Sequence, residues 1–382
     1  MDRILITALA LGLQTGYTML AMPPAVSALM PLYGVSYTGI SILLSALFWS
    51  HAAIQIPGGM VTDRMGLRKA LVLAQACFLI GTAIPLFHAS LTLAVFGRVI
   101  SGLGSGLTFV AGLKFISTNA PPQRTPVYQS AFGACIPFGG ICAFAIISYL
   151  IRFSWWWAFL IPGLASLVMT PVVLTLKMSD ARQTSSLPAL KEAVRLPAGW
   201  VLGLVAAVSY GGFMTVGNWT PSLLTDVMPD LPAHIAAWGG AAIMLTGGLA
   251  RLSGGFTLLR FSAWQVTRWA TALLALVFLG LALFHVAWAA LLLGLGVACF
   301  GSVTFAAFFY VAALSIRPEA MGTLFGFINL LANVGAVGFI ILFGAVRDAT
   351  GSFAWGFGSM AVVATVALGT VLWLQKKTAA AS

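Results

Sequence analysis

The sequence predicts an all-α membrane protein with twelve transmembrane helices in two six-helix pseudo-symmetric halves. Three observations predict it. Of 382 residues, 60% are apolar and only 7% charged, against roughly 25% charged in soluble domains, and the mean hydropathy is +1.02. The apolar residues fall in long continuous runs rather than in alternation. The chain also repeats itself at a spacing close to half its length. A soluble fold cannot cover so much apolar surface, so a soluble enzyme, a disordered chain and a nucleic-acid binder are excluded.

The runs occupy 5–29, 37–60, 70–88, 91–117, 127–151 and 156–177, then 197–223, 234–258, 264–284, 287–316, 321–346 and 352–374. Each is close to the about 20 residues that a helix needs to cross a bilayer. Short alternating strands are absent, which excludes a closed barrel. The first run could imitate a secretory leader, but Pro23-Pro24 makes a poor processing region and eleven runs follow, so a retained span is expected. The longest polar stretch, Met178–Leu196, carries Lys191, Glu192 and Arg195 and suits a short amphipathic helix. It divides the chain into a six-helix half at 1–177, a cytoplasmic central loop at 178–196 and a second half at 197–382.

Orientation follows from Lys and Arg. With the N-terminus in the cytoplasm, 15 of the 19 basic residues face inward. Arg152 and Arg347 fall outside, and Arg98 and Arg251 fall inside spans. The expected placement is therefore multi-pass in a bacterial cytoplasmic (inner) membrane, both termini cytoplasmic. The net charge of +11 reads as topology, not as a nucleic-acid footprint. Cys77, Cys135, Cys142 and Cys299 lie in apolar runs without a C-x-x-C pair and are expected to be buried hydrophobes.

The stretch after span 2 reads Gly59-Met-Val-Thr-Asp63-Arg64-Met-Gly66-Leu-Arg68-Lys69. A shift of 196 maps Gly59 on Gly255 and Arg64 on Arg260, while Leu259 replaces Asp63. Two parallel halves related by an axis along the membrane normal are expected. This stretch resembles the G-x-x-x-D-[RK]-x-G-x-[RK]-[RK] signature of the major facilitator superfamily. Span 4 adds Arg98-Val-Ile-Ser-Gly102-Leu-Gly104-Ser-Gly106, a second feature similar to that family. The resemblance covers the whole chain. It implies alternating access, a gating motif of Gly59, Asp63, Arg64, Gly66, Arg68 and Arg98, and a monomer. It also implies that Asp63 lies near the positive N-terminus of span 11, at Gly322. From the residues themselves, Asp63 can pair with Arg64 or Arg68.

Ionisable groups at membrane depth default to functional candidates. All eight acids, Asp2, Asp63, Asp180, Glu192, Asp226, Asp230, Glu319 and Asp348, fall in loops or at span ends. With no mid-span carboxylate, Arg251 in span 8 lacks a resident counter-ion, and a substrate anion is its natural partner. The bland alternative is a bond to backbone carbonyls or snorkelling. For Arg98 the alternatives are snorkelling outward or bracing the span 4 turn. The shift of 196 makes Gln55 the mate of Arg251, and His51 shares a helix face with Gln55. His51 is either a carrier of a coupling proton or a neutral packing residue. Gln14 and Tyr17 in span 1, Tyr210 and Asn218 with Trp219 in span 7, and Asn329 and Asn333 in span 11 complete the candidate binding set. Such amides also serve as helix glue. The resemblance implies that spans 1, 4, 7 and 10 line the cavity, which adds Thr108, Phe109, Thr304, Phe308 and Tyr310.

Tyr210-Gly-Gly-Phe-Met-Thr and Ala250-Arg251-Leu-Ser-Gly-Gly resemble spans 7 and 8 of the nitrate/nitrite porter branch, whose span 8 Arg contacts the anion. Gln123-Arg124-Thr-Pro resembles cyanate-type porters. Gln55 stands where the nitrate branch has a second Arg, and span 5 lacks that branch's Asn. One cationic contact suits a small monovalent anion, inorganic or a monocarboxylate that also uses amide donors. The expected function is secondary transport of such an anion by alternating access, with protons as the candidate coupling ion. The alternative is a proton-coupled efflux pump for amphipathic drug-like compounds. No G-x-x-x-x-G-K-[ST] loop, metal cluster or catalytic constellation is present, so no enzyme activity and no cofactor is expected.

Overall fold

The computed structural model describes residues 3–121, 124–176, 187–284, 286–317 and 320–379. The described residues form helices and no strands, and twelve helices are long and apolar enough to cross a membrane. Spans 1 to 6 are Arg3–Tyr33, Tyr37–Met65, Leu67–Phe87, Leu91–Asn119, Thr125–Leu150 and Trp157–Thr175. Spans 7 to 12 are Pro197–Val227, Ala233–Thr257, Ala263–Leu283, Ala287–Leu314, Met321–Thr350 and Ala354–Ala379.

The apolar runs mark every span and misjudge several ends. Span 1 was expected to stop at 29. Instead the helix Arg3–Met19 breaks, a short turn covers Pro23–Ala25, and a second helix runs Val26–Tyr33 to a left-handed Gly34. Pro23 and Pro24 lack the N–H groups that would continue the ladder, which accounts for the break. Span 2 runs past its apolar end to Met65, so the signature stretch is mostly helix. A single residue, Gly66 at φ 82°, turns the chain before span 3 starts at Leu67. That backbone angle is open to glycine and strained for other residues. Span 7 carries a π turn at Ala207–Gly211, which hydropathy does not register. Of the central stretch, 178–186 lies outside the described residues, and Leu187–Arg195 is a helix.

The repeat is written into the helix starts. Spans 2 and 8 start at Tyr37 and Ala233, spans 3 and 9 at Leu67 and Ala263, spans 4 and 10 at Leu91 and Ala287, and spans 5 and 11 at Thr125 and Met321. Each pair differs by 196. Two seams join the first six spans to the last six: span 2 against span 11, and span 5 against span 8. The shift of 196 exchanges these two seams.

Both seams are tight only at one end. The Gly66 turn marks the motif end of the bundle, and the opposite end is the far end. Toward the far end, a Cβ on Gly344 of span 11 would lie 2.4 Å from the Tyr37 carbonyl oxygen of span 2. In the other seam, a Cβ on Gly240 would lie 2.4 Å from the Phe144 ring. At the motif end, Cβ atoms on Gly59, Gly255, Gly322 and Gly326 would meet nothing within 4 Å. The cores agree. One apolar cluster takes residues from both sets of six, including Leu44, Phe144, Trp219, Met244 and Phe343. The three others each stay within one set: two in the last six spans, one of them with the connecting helix, and one in the first six. The sets therefore close on each other at the far end and splay toward the motif end. The outer surface is apolar, with Trp49, Phe96, Trp238, Trp288, Trp355 and Trp373 each at least half exposed, as lipid contact requires.

Candidate anion site at the seam of spans 5 and 8

Arg251 projects from span 8 toward span 5. Its guanidinium carbon sits 3.5 Å from the ring centroid of Phe305 in span 10. On span 5, a Cβ on Gly133 would lie at ordinary contact distance, 3.7 Å, from Arg251 Nε, so the cation lies against span 5. Tyr210, on the π turn of span 7, is close enough to interact with it electrostatically. Among the described residues the guanidinium has no hydrogen bond and no ion pair. The backbone-carbonyl alternative for Arg251 is thus not realised. Phe305 begins an aromatic shelf: its ring lies 4.7 Å from Phe309, which lies 4.8 Å from Phe325. A half-buried cation with an aromatic on one face and unused N–H groups at its edge can hold an anion by paired hydrogen bonds.

The repeat gives this corner a neutral counterpart. Arg251, Phe305 and Asn329 are the 196 mates of Gln55, Phe109 and Gly133. Gln55 and His51 are buried together in span 2. The Gln55 amide nitrogen lies 2.8 Å from His51 Nε2, and His51 Nδ1 lies 2.8 Å from Ser105 Oγ of span 4. As placed, the amide donates to Nε2, so Nδ1–H donates to Ser105 and the ring is neutral. Phe109 lies tilted beside His51 at 6.0 Å and stacks on Phe132 at 5.8 Å. His51 therefore joins spans 2 and 4 while contacting Gln55.

Several candidates are placed elsewhere. Gln14 does not present its amide to a ligand. It exchanges hydrogen bonds with Gln75 at 2.7 and 3.1 Å, and Ser166 Oγ donates to Gln75 Oε1 at 2.7 Å. These bonds tie spans 1, 3 and 6, a helix-glue role. Tyr17 packs on span 5, where a Cβ on Gly139 would lie 2.6 Å from its backbone nitrogen, and its buried hydroxyl has no partner. Asn218 donates to the Met214 carbonyl at 2.7 Å and Asn333 to the Asn329 carbonyl at 2.8 Å, each leaving a buried amide oxygen unpartnered. Asn329 itself is half-buried. Of the wall candidates, Thr108 and Phe308 are buried, Thr304 donates to the Phe300 carbonyl, and Tyr310 is exposed.

The gating residues also differ from expectation. Asp63 pairs with Lys114 of span 4, not with Arg64 or Arg68. Arg68 instead donates to the Leu176 carbonyl at 2.6 Å. A Cβ on Gly322, at the start of span 11, would meet nothing within 4 Å. Arg98 is buried toward the far end and neither snorkels nor braces its own span. It donates to the Thr18 and Met19 carbonyls at 2.5 and 2.9 Å, satisfying the end of the broken helix of span 1. Two residues were missed, and the repeat could have found one. Phe305 is the mate of the nominated Phe109. Lys114 has Tyr310 as its mate, so the second copy has lost both members of the ion pair, Leu259 and Tyr310 standing in their places.

Twelve spans, two seams exchanged by a repeat and a splayed end define a membrane transporter. The chain belongs to the Major Facilitator Superfamily, whose sequence profile matches residues 4–340. It is 25% identical over 386 residues to the human voltage-gated purine nucleotide uniporter SLC17A9, covering 92% of this chain and 86% of that one. It is 28% identical over 228 residues to the probable nitrate/nitrite transporter NarK2 of Mycobacterium tuberculosis, 56% of each chain. It is 20% identical over 231 residues to the cyanate transport protein CynX of Escherichia coli, 59% of each. A bacterial homologue of the human lysosomal transporter Spinster shares the fold at a TM-score of 0.73 and 16% identity, over 97% of this chain and 94% of that one.

Proposed function

We propose that this transporter moves a small anion across a bacterial cytoplasmic membrane by alternating access, the two sets of six spans rocking about the Arg251 corner. The observation that carries the reading is the unpaired guanidinium of Arg251 within a span, at the seam between the sets. Leaving a cation at membrane depth without a partner is costly, and a cargo anion removes that cost. The relatives named for nucleotide, nitrate/nitrite and cyanate transport support an anion. The basic residues argue for cytoplasmic termini, which makes the splayed motif end the cytoplasmic opening. The carrier works as a monomer.

Protons are the proposed coupling ion, with His51 as carrier. For His51 to take a proton, its Nε2 must become a donor, so the Gln55 amide must turn its oxygen to the ring. Protonation is thereby felt at the mate position of Arg251. The rival reading, efflux of amphipathic compounds, draws on the aromatic shelf from Phe305 to Phe325.

Proteoliposome uptake of radiolabelled nitrite, cyanate, acetate and benzoate tests the reading on wild type and Arg251→Ala. One of these anions enters through the wild type and falls to background in the variant. Transport of neutral or cationic dyes that is indifferent to Arg251, with no anion flux, would favour efflux instead. A pH profile of uptake that is unchanged in His51→Gln would remove His51 as the proton carrier.

A further inference from the structure

The N-terminus of span 2 is capped by a residue of another span. Ser36 Oγ accepts from the Gly39 amide at 3.4 Å, the ordinary local cap. The two preceding amides are taken from across the seam. Tyr37 N donates to Asp348 Oδ1 at 3.0 Å, and Thr38 N donates to Asp348 Oδ2 at 2.7 Å. The Thr38 hydroxyl donates to the same oxygen at 2.5 Å. Asp348 belongs to the last turn of span 11, in the opposite set of six. A carboxylate at a helix N-terminus answers both the unpaired amides and the positive end of the dipole.

The neighbouring residue extends the knot. Arg347 forms an ion pair with Asp226 of span 7, and its guanidinium lies 5.2 Å from the Tyr37 ring and 5.7 Å from the Phe353 ring. Trp219 of span 7 donates its indole N–H to the Ile340 carbonyl at 3.2 Å. Two consecutive residues of span 11 thus tie span 2 to span 7 at the far end. Among the described residues, the other seam has no equivalent. The 196 mate of Asp348 is Arg152, which turns to the Tyr149 carbonyl at 3.2 Å. Span 8 begins after Pro232 with no side-chain cap.

We propose that Asp348 is a one-sided latch: by capping span 2 in trans it holds the far end closed, and opening there requires the cap to break. The seam of spans 2 and 11 then controls far-end opening, while the seam of spans 5 and 8 stays free to bear on Arg251. This rests on the alternating access proposed above and not on the cargo. Failure of Arg251→Ala to affect anions would leave it standing.

Spin labels at Leu32→Cys and Asp230→Cys, in a chain whose four cysteines are serine, report the far-end distance by pulsed electron resonance. Asp348→Asn raises the population of the longer distance severalfold, and Asp348→Ala, which removes both acceptors, raises it roughly tenfold. Ser262→Ala is the control. Ser262 caps span 9 within its own set through a capping box with Gln265, so its loss lowers thermal stability and leaves the far-end distance alone. An unchanged distance in both Asp348 variants overturns the proposal. Widening in Ser262→Ala to the same extent also overturns it, because the effect would then be general loosening.

Discussion

Arg251 and Gln14 are both polar side chains within spans, and their surroundings assign them opposite work. Arg251 has an aromatic face, span 5 alongside it and, among the described residues, no acceptor. Gln14 has every amide atom bonded to a neighbouring helix. Gln14→Leu therefore strands the Gln75 amide nitrogen, whose oxygen keeps Ser166, and costs about 1–3 kcal/mol, read as a fall in Tm, while the response to anion is kept. Phe305→Leu removes the stacking surface under the guanidinium and leaves the fold intact. It weakens anion affinity by about threefold to thirtyfold, measured by isothermal titration with the transported anion. Arg251 was legible in the sequence because a mid-span charge without a mid-span acid stands out. The role of Gln14 was not, because its partner is 61 residues away and nothing in local spacing marks that pairing. The partner of Asp63 was hidden for the same reason, Lys114 lying in a different span.

Among the elements, spans 2 and 11 form a contact surface that is tight at one end and open at the other. Gly344 is pressed on the Tyr37 carbonyl at the far end, whereas Gly322 on the same helix faces open space. Gly344→Val cannot be accommodated without prying the seam apart. It lowers Tm in detergent or widens the far-end distance. Gly322→Leu meets nothing in this conformation, so Tm stays near wild type. It obstructs closure at the motif end, and uptake slows at least roughly tenfold, since about 1.4 kcal/mol against the closed state suffices. The connecting helix makes a weaker contribution. Arg317 holds the Glu192 carboxyl below its ordinary value by a hydrogen bond at 2.5 Å. That stabilisation is present above the ordinary carboxylate range and is lost as pH falls through the lowered value. The pair is exposed, so Glu192→Gln shifts Tm little, and less still at high salt. Span number and approximate position were legible from hydropathy, because apolar length is what the bilayer selects. The break in span 1 had a signal in Pro23-Pro24. The π turn of span 7 had none, since it changes hydrogen bonding without changing composition.

At the scale of the whole molecule, the two seams are copies that have diverged. The repeat places Arg251 opposite Gln55, Lys114 opposite Tyr310 and Asp348 opposite Arg152. The mid-span cation, the Asp63–Lys114 ion pair and the Asp348 cap each stand in one copy of the repeat and not in its mate. The spacing of 196 was readable from two glycines and two arginines, and the starts of four helix pairs repeat it. The splay toward the motif end was not readable, because hydropathy and motif spacing carry no signal for the angle between packed helices. The central claim is that Arg251 is the contact for a cargo anion. A thermal-shift titration of detergent-purified protein with nitrite, cyanate, acetate and benzoate, on wild type and Arg251→Ala together, tests it most directly. Binding to the folded state raises Tm by mass action, by about 2.7 kcal/mol of stability at a hundred times Kd. The account predicts that at least one anion raises the Tm of the wild type and leaves that of Arg251→Ala unmoved. An equal shift in both proteins, or none in either, would contradict it.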